Sequence, residues 1–91
     1  MIPKDIIERE HILKAMEEIR KTGYIPPNRR AKKYLVEHEG IYYPPKYVIS
    51  LAYKYASGQE LHPEEFHGGK EANTFLKSKG FTIVEFKQIN K

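Results

Sequence analysis

Apolar residues recur at helical spacing near the start of the chain. Ile6, Ile12, Leu13, Met16 and Ile19 fall on one side of a helix predicted over residues 4–22. Pro3 suits its first turn, where a missing N–H costs little. Asp5 and Glu8 would lie at the positive end of the helix dipole and Arg20 and Lys21 at the negative end, with Gly23 as the stop. The spacing then changes. Residues 33–37, Lys-Tyr-Leu-Val-Glu, have strand composition; His38, Glu39 and Gly40 can turn, and Ile41, Tyr42 and Tyr43 return. This reads as a β-hairpin.

Helical spacing resumes after two prolines. Val48, Leu51, Ala52 and Tyr55 make the apolar face of a helix over residues 45–56, closed by Gly58. Residues 61–66 read as one helical turn, and Phe66, His67, Gly68 and Gly69 as a break. A last helix over residues 70–79 turns Ala72, Phe75 and Leu76 inward, and residues 81–86 alternate as a final strand. The order predicts one small α+β domain over residues 1–91, with a three-stranded, mainly antiparallel sheet packed against about three helices. Residues 1–23 would be scaffold.

Composition narrows the class. At 91 residues, with 40% hydrophobic and 31% charged side chains, the chain fits a single soluble domain. It has no cysteine, which removes thiolate chemistry and thiolate metal sites. No apolar run approaches the roughly 20 residues that cross a bilayer, and the N-terminus lacks signal-peptide character. A cytoplasmic protein with no membrane partner is the expectation.

Charge is unevenly placed. The net charge is +4, yet residues 20–54 carry eight basic and two acidic side chains, a net of +6. A positive field concentrated mid-chain points to an anionic partner; lopsided charge kept for solubility is the plainer account.

Enzymatic chemistry finds little support. His62 and His67 straddle Glu64 and Glu65 without any metal-site spacing, so turn and cap roles fit them better. Glu17 and Glu18 are sequence neighbours, as are Glu64 and Glu65, and neighbours on a helix diverge by about 100°. Neither pair converges on one atom for acid/base work. Ser50, Ser57 and Ser78 lack a nucleophile-elbow context, and Gly68-Gly69-Lys70 lacks the earlier glycine and following hydroxyl of a P-loop. No catalytic residue, metal or cofactor is expected.

The basic and aromatic stretch over residues 28–47 is the stronger signal. Asn28, Arg29, Arg30, Lys32, Lys33, Tyr43, Pro44, Lys46 and Tyr47 form the candidate nucleic-acid interface. Arginines offer planar bidentate donors for phosphate, lysines give sequence-blind charge, and tyrosines can stack on bases or wall a pocket. Tyr34 and Tyr55 read instead as half-buried core residues.

Several of these motifs occur together. Tyr43-Pro44-Pro45-Lys46, the apolar helix ending at Gly58, Phe66-His67-Gly68-Gly69, Asn73, Leu76 and Gly80-Phe81-Thr82-Ile83 resemble the sulfur-binding reader domain of Mcr-type HNH restriction endonucleases. The resemblance covers residues 28–86. It implies recognition of phosphorothioate DNA in a pocket that takes the sulfur. Tyr43 and Pro44 would wall that pocket, with residue 47 completing it. Arg29 and Arg30 would hold the modified phosphate, and Lys46 flanking ones. Tyr47 is bulky where that family carries a small residue. No HNH segment follows. The expectation is therefore a non-catalytic double-stranded DNA reader in a restriction or defence setting, with a separate nuclease subunit as partner. A protein-interaction adaptor and an RNA-binding module are the alternatives.

Overall fold

The computed structural model describes residues 2–31, 33–62, 66 and 69–86. In chain order they form helix α1 (Arg9–Thr22), a single 3-10 turn (Pro27–Arg29), strands β1 (Tyr34–His38) and β2 (Ile41–Tyr43), helices α2 (Pro45–Ser57) and α3 (Lys70–Ser78), and strand β3 (Thr82–Glu85). The domain is α+β. Its sheet has the order β2-β1-β3, and both pairings are antiparallel.

Helix α1 begins at Arg9 rather than at residue 4. Ile7 is fully buried and Ile6 is exposed, so the entry segment feeds the core with a different isoleucine from the one that periodicity selected. The Ile2 N–H donates to Glu71 Oε2 at 3.1 Å, which fastens this segment to α3. The Glu8 N–H donates to His11 Nδ1 at 2.9 Å, so a side chain satisfies one of the donors left at the helix start. Ile12, Ala15, Met16 and Ile19 face inward, and α1 packs along α2.

The hairpin loop is Glu39-Gly40, both at positive φ (52° and 80°), the geometry that matches the twist of the flanking strands. That loop fixes the register. Val36 lies opposite Tyr43 on one side and Ile83 on the other, making a row of side chains that meets the core. Glu37 lies opposite Tyr42 and Thr82 on the outer row.

Tyr43 is thereby corrected. Expected at the surface as a pocket wall, it is 1% exposed, and its hydroxyl accepts a hydrogen bond from Arg20 Nη1 at 3.4 Å. The two-residue loop puts it on the Val36 face, and period-two alternation then leaves it no route to solvent.

Helix α2 is the most enclosed element. Val48, Leu51 and Ala52 are buried as expected, and so are Tyr47, Ile49 and Ser50. Tyr55, assigned to the apolar face, is 42% exposed, and its hydroxyl donates to Glu18 Oε1 at 2.8 Å. Leu61 and Phe66 are buried. The helical turn expected over residues 61–66 and the break at residues 67–68 lie largely outside the described residues.

Candidate nucleic-acid interface

Four chain segments meet around an open cleft of about 380 Å³. The 3-10 turn and the residues after it supply Asn28, Arg29, Arg30 and Ala31. The start of β1 supplies Lys33 and Tyr34, the start of α2 supplies Pro44, Pro45 and Lys46, and the start of α3 supplies Gly69 and Asn73.

The sequence dictates why two helices begin here. Pro44 is extended (φ −70°, ψ 122°) and Pro45 takes the first helical position, where proline is tolerated. Gly69 enters α3 at φ 60° and ψ −117°, a conformation essentially confined to glycine. Neither start has a side-chain cap. Two positive dipole ends therefore border the same cleft, and an anion there would meet backbone N–H groups.

The cations divide by environment. The Arg29 side chain is 12% exposed. Its Nη2 donates to Ser50 Oγ at 2.5 Å, its guanidinium lies over the Tyr47 ring at 5.3 Å, and Nη1 is 4.0 Å from Glu60 Oε1. Ser50 is fully buried, and its hydroxyl donates a hydrogen bond to the Leu61 carbonyl at 2.7 Å. Arg29 thus pins the 3-10 turn to α2 while closing one side of the cleft. Arg30, its neighbour, is exposed on the rim.

Lys46 sits over the Phe66 ring at 4.9 Å. Burial, then the Arg29 charge, lowers its pKa from the ordinary lysine value, and Glu71 partly opposes them. A cation already crowded by another cation gains from a bound anion. Burial and the nearby Glu60 carboxylate raise the Tyr47 phenol, keeping it neutral.

Of the expected interface, Asn28, Arg29, Arg30, Lys33, Pro44 and Lys46 come together around the cleft. Tyr43 does not, and Tyr47 is a second correction: its ring is 8% exposed, lies under Arg29, and does not line the cleft. Residue 47 is a core position because α2 is enclosed on that side, so its bulk does not fill the cleft. The apolar surface comes instead from Pro44, Pro45, Ala31 and Tyr34. Lys32 lies outside the described residues, as do Glu64, Glu65 and His67. Among the described residues no group of three His, Asp or Glu side chains could hold a metal, and no helix is long and apolar enough to cross a membrane.

Sequence reasoning missed Ala31, Tyr34, Pro45, Gly69 and Asn73 as cleft residues. Tyr34 had a usable signal: it begins β1 directly after the basic run, so its ring borders whatever those cations surround.

The family model of the ScoMcrA-like N-terminal head domain matches residues 5–85. The chain belongs to that family. Among solved structures, the Type IV phosphorothioation-dependent restriction endonuclease ScoMcrA is similar, with 29% sequence identity and a TM-score of 0.60. The match covers 88% of this chain and 13% of that one, so this head domain spans a small part of the endonuclease it resembles. No curated protein matches. The Mcr-type relationship expected from the motifs is thereby shown, and the family match falls on the head domain.

Proposed function

We propose that this head domain is a non-catalytic DNA-binding module that seats the sugar-phosphate backbone of a DNA duplex in the cleft, as the reading part of a phosphorothioate-dependent restriction system. Cleavage would belong to a nuclease elsewhere, on the same chain or on a separate subunit. The observation that carries this reading is the composition of the cleft. Arg30, Lys33 and Lys46 stand around an apolar surface of Pro44, Pro45 and Ala31, and the uncapped starts of α2 and α3 border it.

The physics suits a modified phosphate. A sulfur replacing a phosphate oxygen is larger, more polarizable and a poorer hydrogen-bond acceptor. An apolar wall accepts it through dispersion and loses little by not donating to it. The adjacent cations still neutralise the charge. Pro44 and Pro45 supply such a wall, and Pro45 has no N–H to leave unpaired. The family's namesake endonuclease depends on phosphorothioation, which supports sulfur as the modification read.

Fluorescence anisotropy with matched plain, phosphorothioate and methylated duplexes at two salt concentrations tests the reading. Expected are binding that weakens with salt, at a log–log slope of about −0.9 per phosphate contact, and a preference for the phosphorothioate duplex. Undetectable or salt-independent binding to every duplex overturns the DNA reading. Equal affinity for plain and sulfur-bearing duplexes overturns the sulfur part alone.

A further inference from the structure

A second cavity, of about 340 Å³, adjoins the cleft and shares Tyr34 and Asn73 with it. Its other polar lining is Lys70, Thr74 and Lys77 from α3 and Glu85 from the end of β3. Lys70, Thr74 and Lys77 are exposed and spaced i, i+4, i+7. They form one stripe along α3, about 10 Å long at 1.5 Å per residue. One end of the stripe is the helix start that borders the cleft. The two cavities therefore read as one track that passes Tyr34 and Asn73.

Asn73 adds an independent observation. It is 9% exposed, and its Oδ1 is sealed from solvent with no hydrogen-bond partner among the described residues. Leaving a buried acceptor unpaired costs about 1–3 kcal/mol. A leucine would fill the same place on α3 without that cost, so stability does not account for the carboxamide. Asn73 lines both cavities, as Tyr34 does, and the NH2 of its carboxamide, rather than the sealed Oδ1, is the group that can donate to a phosphate oxygen passing between them.

We propose that the second cavity is a further phosphate subsite, in which Lys70, Thr74 and Lys77 take the backbone of the same DNA strand beyond the cleft and Asn73 donates at the junction. This rests on the DNA-binding reading above. Glu85 bounds the far side. Its carboxylate opposes the approaching phosphate, so it sets where the track ends and moderates affinity. Because the apolar wall of Pro44 and Pro45 belongs to the first cleft alone, the second subsite is blind to sulfur.

Anisotropy titrations over a salt series, with plain and phosphorothioate duplexes, test this on the native chain and four variants, each checked by thermal unfolding. Lys70→Gln with Lys77→Gln, both at exposed positions, should flatten the salt slope by about 1 to 2 units. It should weaken plain and modified duplexes by the same factor, with Tm unchanged. Glu85→Gln should tighten binding. Asn73→Leu should weaken binding while Tm holds or rises. Arg30→Gln serves as the reference for the cleft. An unchanged slope in the double lysine variant, beside a weakened Arg30→Gln, overturns the subsite and leaves the DNA reading standing. A loss confined to the phosphorothioate duplex also overturns it, because the lysines would then act on the sulfur pocket. If the native chain binds neither duplex, the DNA reading fails and takes the subsite with it.

Discussion

The seam between α1 and α2 and the cleft at the helix starts use the same residue types to opposite ends. In the seam, charges are matched within the chain. Glu18 Oε1 takes the Tyr55 hydroxyl at 2.8 Å and lies 3.6 Å from Lys54 Nζ, and Glu17 lies 3.9 Å from Lys21. In the cleft, cation faces cation. Burial and then the Arg29 charge lower the Lys46 pKa, partly opposed by Glu71, and Arg30 and Lys33 stand on the same rim. The seam pairs each of these charges with an opposite one, whereas the cleft gathers Arg29, Arg30, Lys33 and Lys46 around one open space, where an added anion is favoured. Tyrosines divide along the same line. Tyr43 and Tyr47 hold the fold, while Tyr34 borders the cleft.

The sharpest way to break this division is at Tyr43. Removing its ring by Tyr43→Ala should cost about 3–5 kcal/mol, as for other large core aromatics. That is much of the roughly 5–15 kcal/mol that holds a small domain folded. Urea unfolding reads it. Tyr43→Phe keeps the packing and loses only a long bond from Arg20, so DNA affinity should stay at the native value. A drop in affinity with the fold intact would return Tyr43 to the interface and erase the distinction drawn here. Ser50→Ala is next. It removes the acceptor for Arg29 and the donor to the Leu61 carbonyl in a fully buried place, and should cost about 1–3 kcal/mol.

Element order, fold class, the bounds of α2 and α3 and the mid-chain positive field were legible because each rests on local periodicity, proline and glycine positions or charge counting. Six of the nine expected interface residues do line the cleft. The tyrosines failed for a specific reason. Tyr42 and Tyr43 are indistinguishable by type, and only the two-residue loop, through the register it imposes, sends Tyr42 out and Tyr43 in. That step was available from Gly40 and the apolar Val36. The positions of Gly69 and Asn73 were not. The start of α3 reaches the cleft through packing between segments far apart in sequence, and local spacing carries no trace of that. Ile6 against Ile7 is a similar case, settled by the attachment of Ile2 to Glu71 rather than by helical period.

Charge reversal comes third in size and bears on the cleft side. Arg30→Glu places a carboxylate on the rim where a phosphate is expected, and should weaken duplex binding roughly tenfold or more at low salt. Tm should barely move, since Arg30 is exposed. Glu18→Gln in the seam is the matching control, expected to leave affinity unchanged. Because Arg30→Glu changes the net charge by −2 and Glu18→Gln by +1, tightening by Glu18→Gln about half as large, on a logarithmic scale, as the loss from Arg30→Glu would mean that binding follows overall charge and that the cleft has no special place in it.

The smallest effects are the pH dependences, which differ in sign between the two regions. Lys46 has a folded pKa below its ordinary 10.5, so between the two values the unfolded chain binds more protons. Its contribution therefore makes stability rise with pH through that window, while its help to DNA binding fades. Tyr55 is the reverse. Its hydrogen bond to Glu18, more than burial, raises the phenol above 10.0, so the folded chain holds the proton longer and stability falls as pH climbs through the raised value. Each is read as a difference against its own variant, so that other titrating groups cancel. Native chain minus Tyr55→Phe should show an advantage under about 0.5 kcal/mol at neutral pH, as for an exposed pair, shrinking above pH 10.0. Native chain minus Lys46→Met should gain stability over the window below pH 10.5. Two curves with the same slope would show that the fold raises the Lys46 pKa as it raises that of Tyr55, and would remove the electrostatic difference drawn here between cleft and seam.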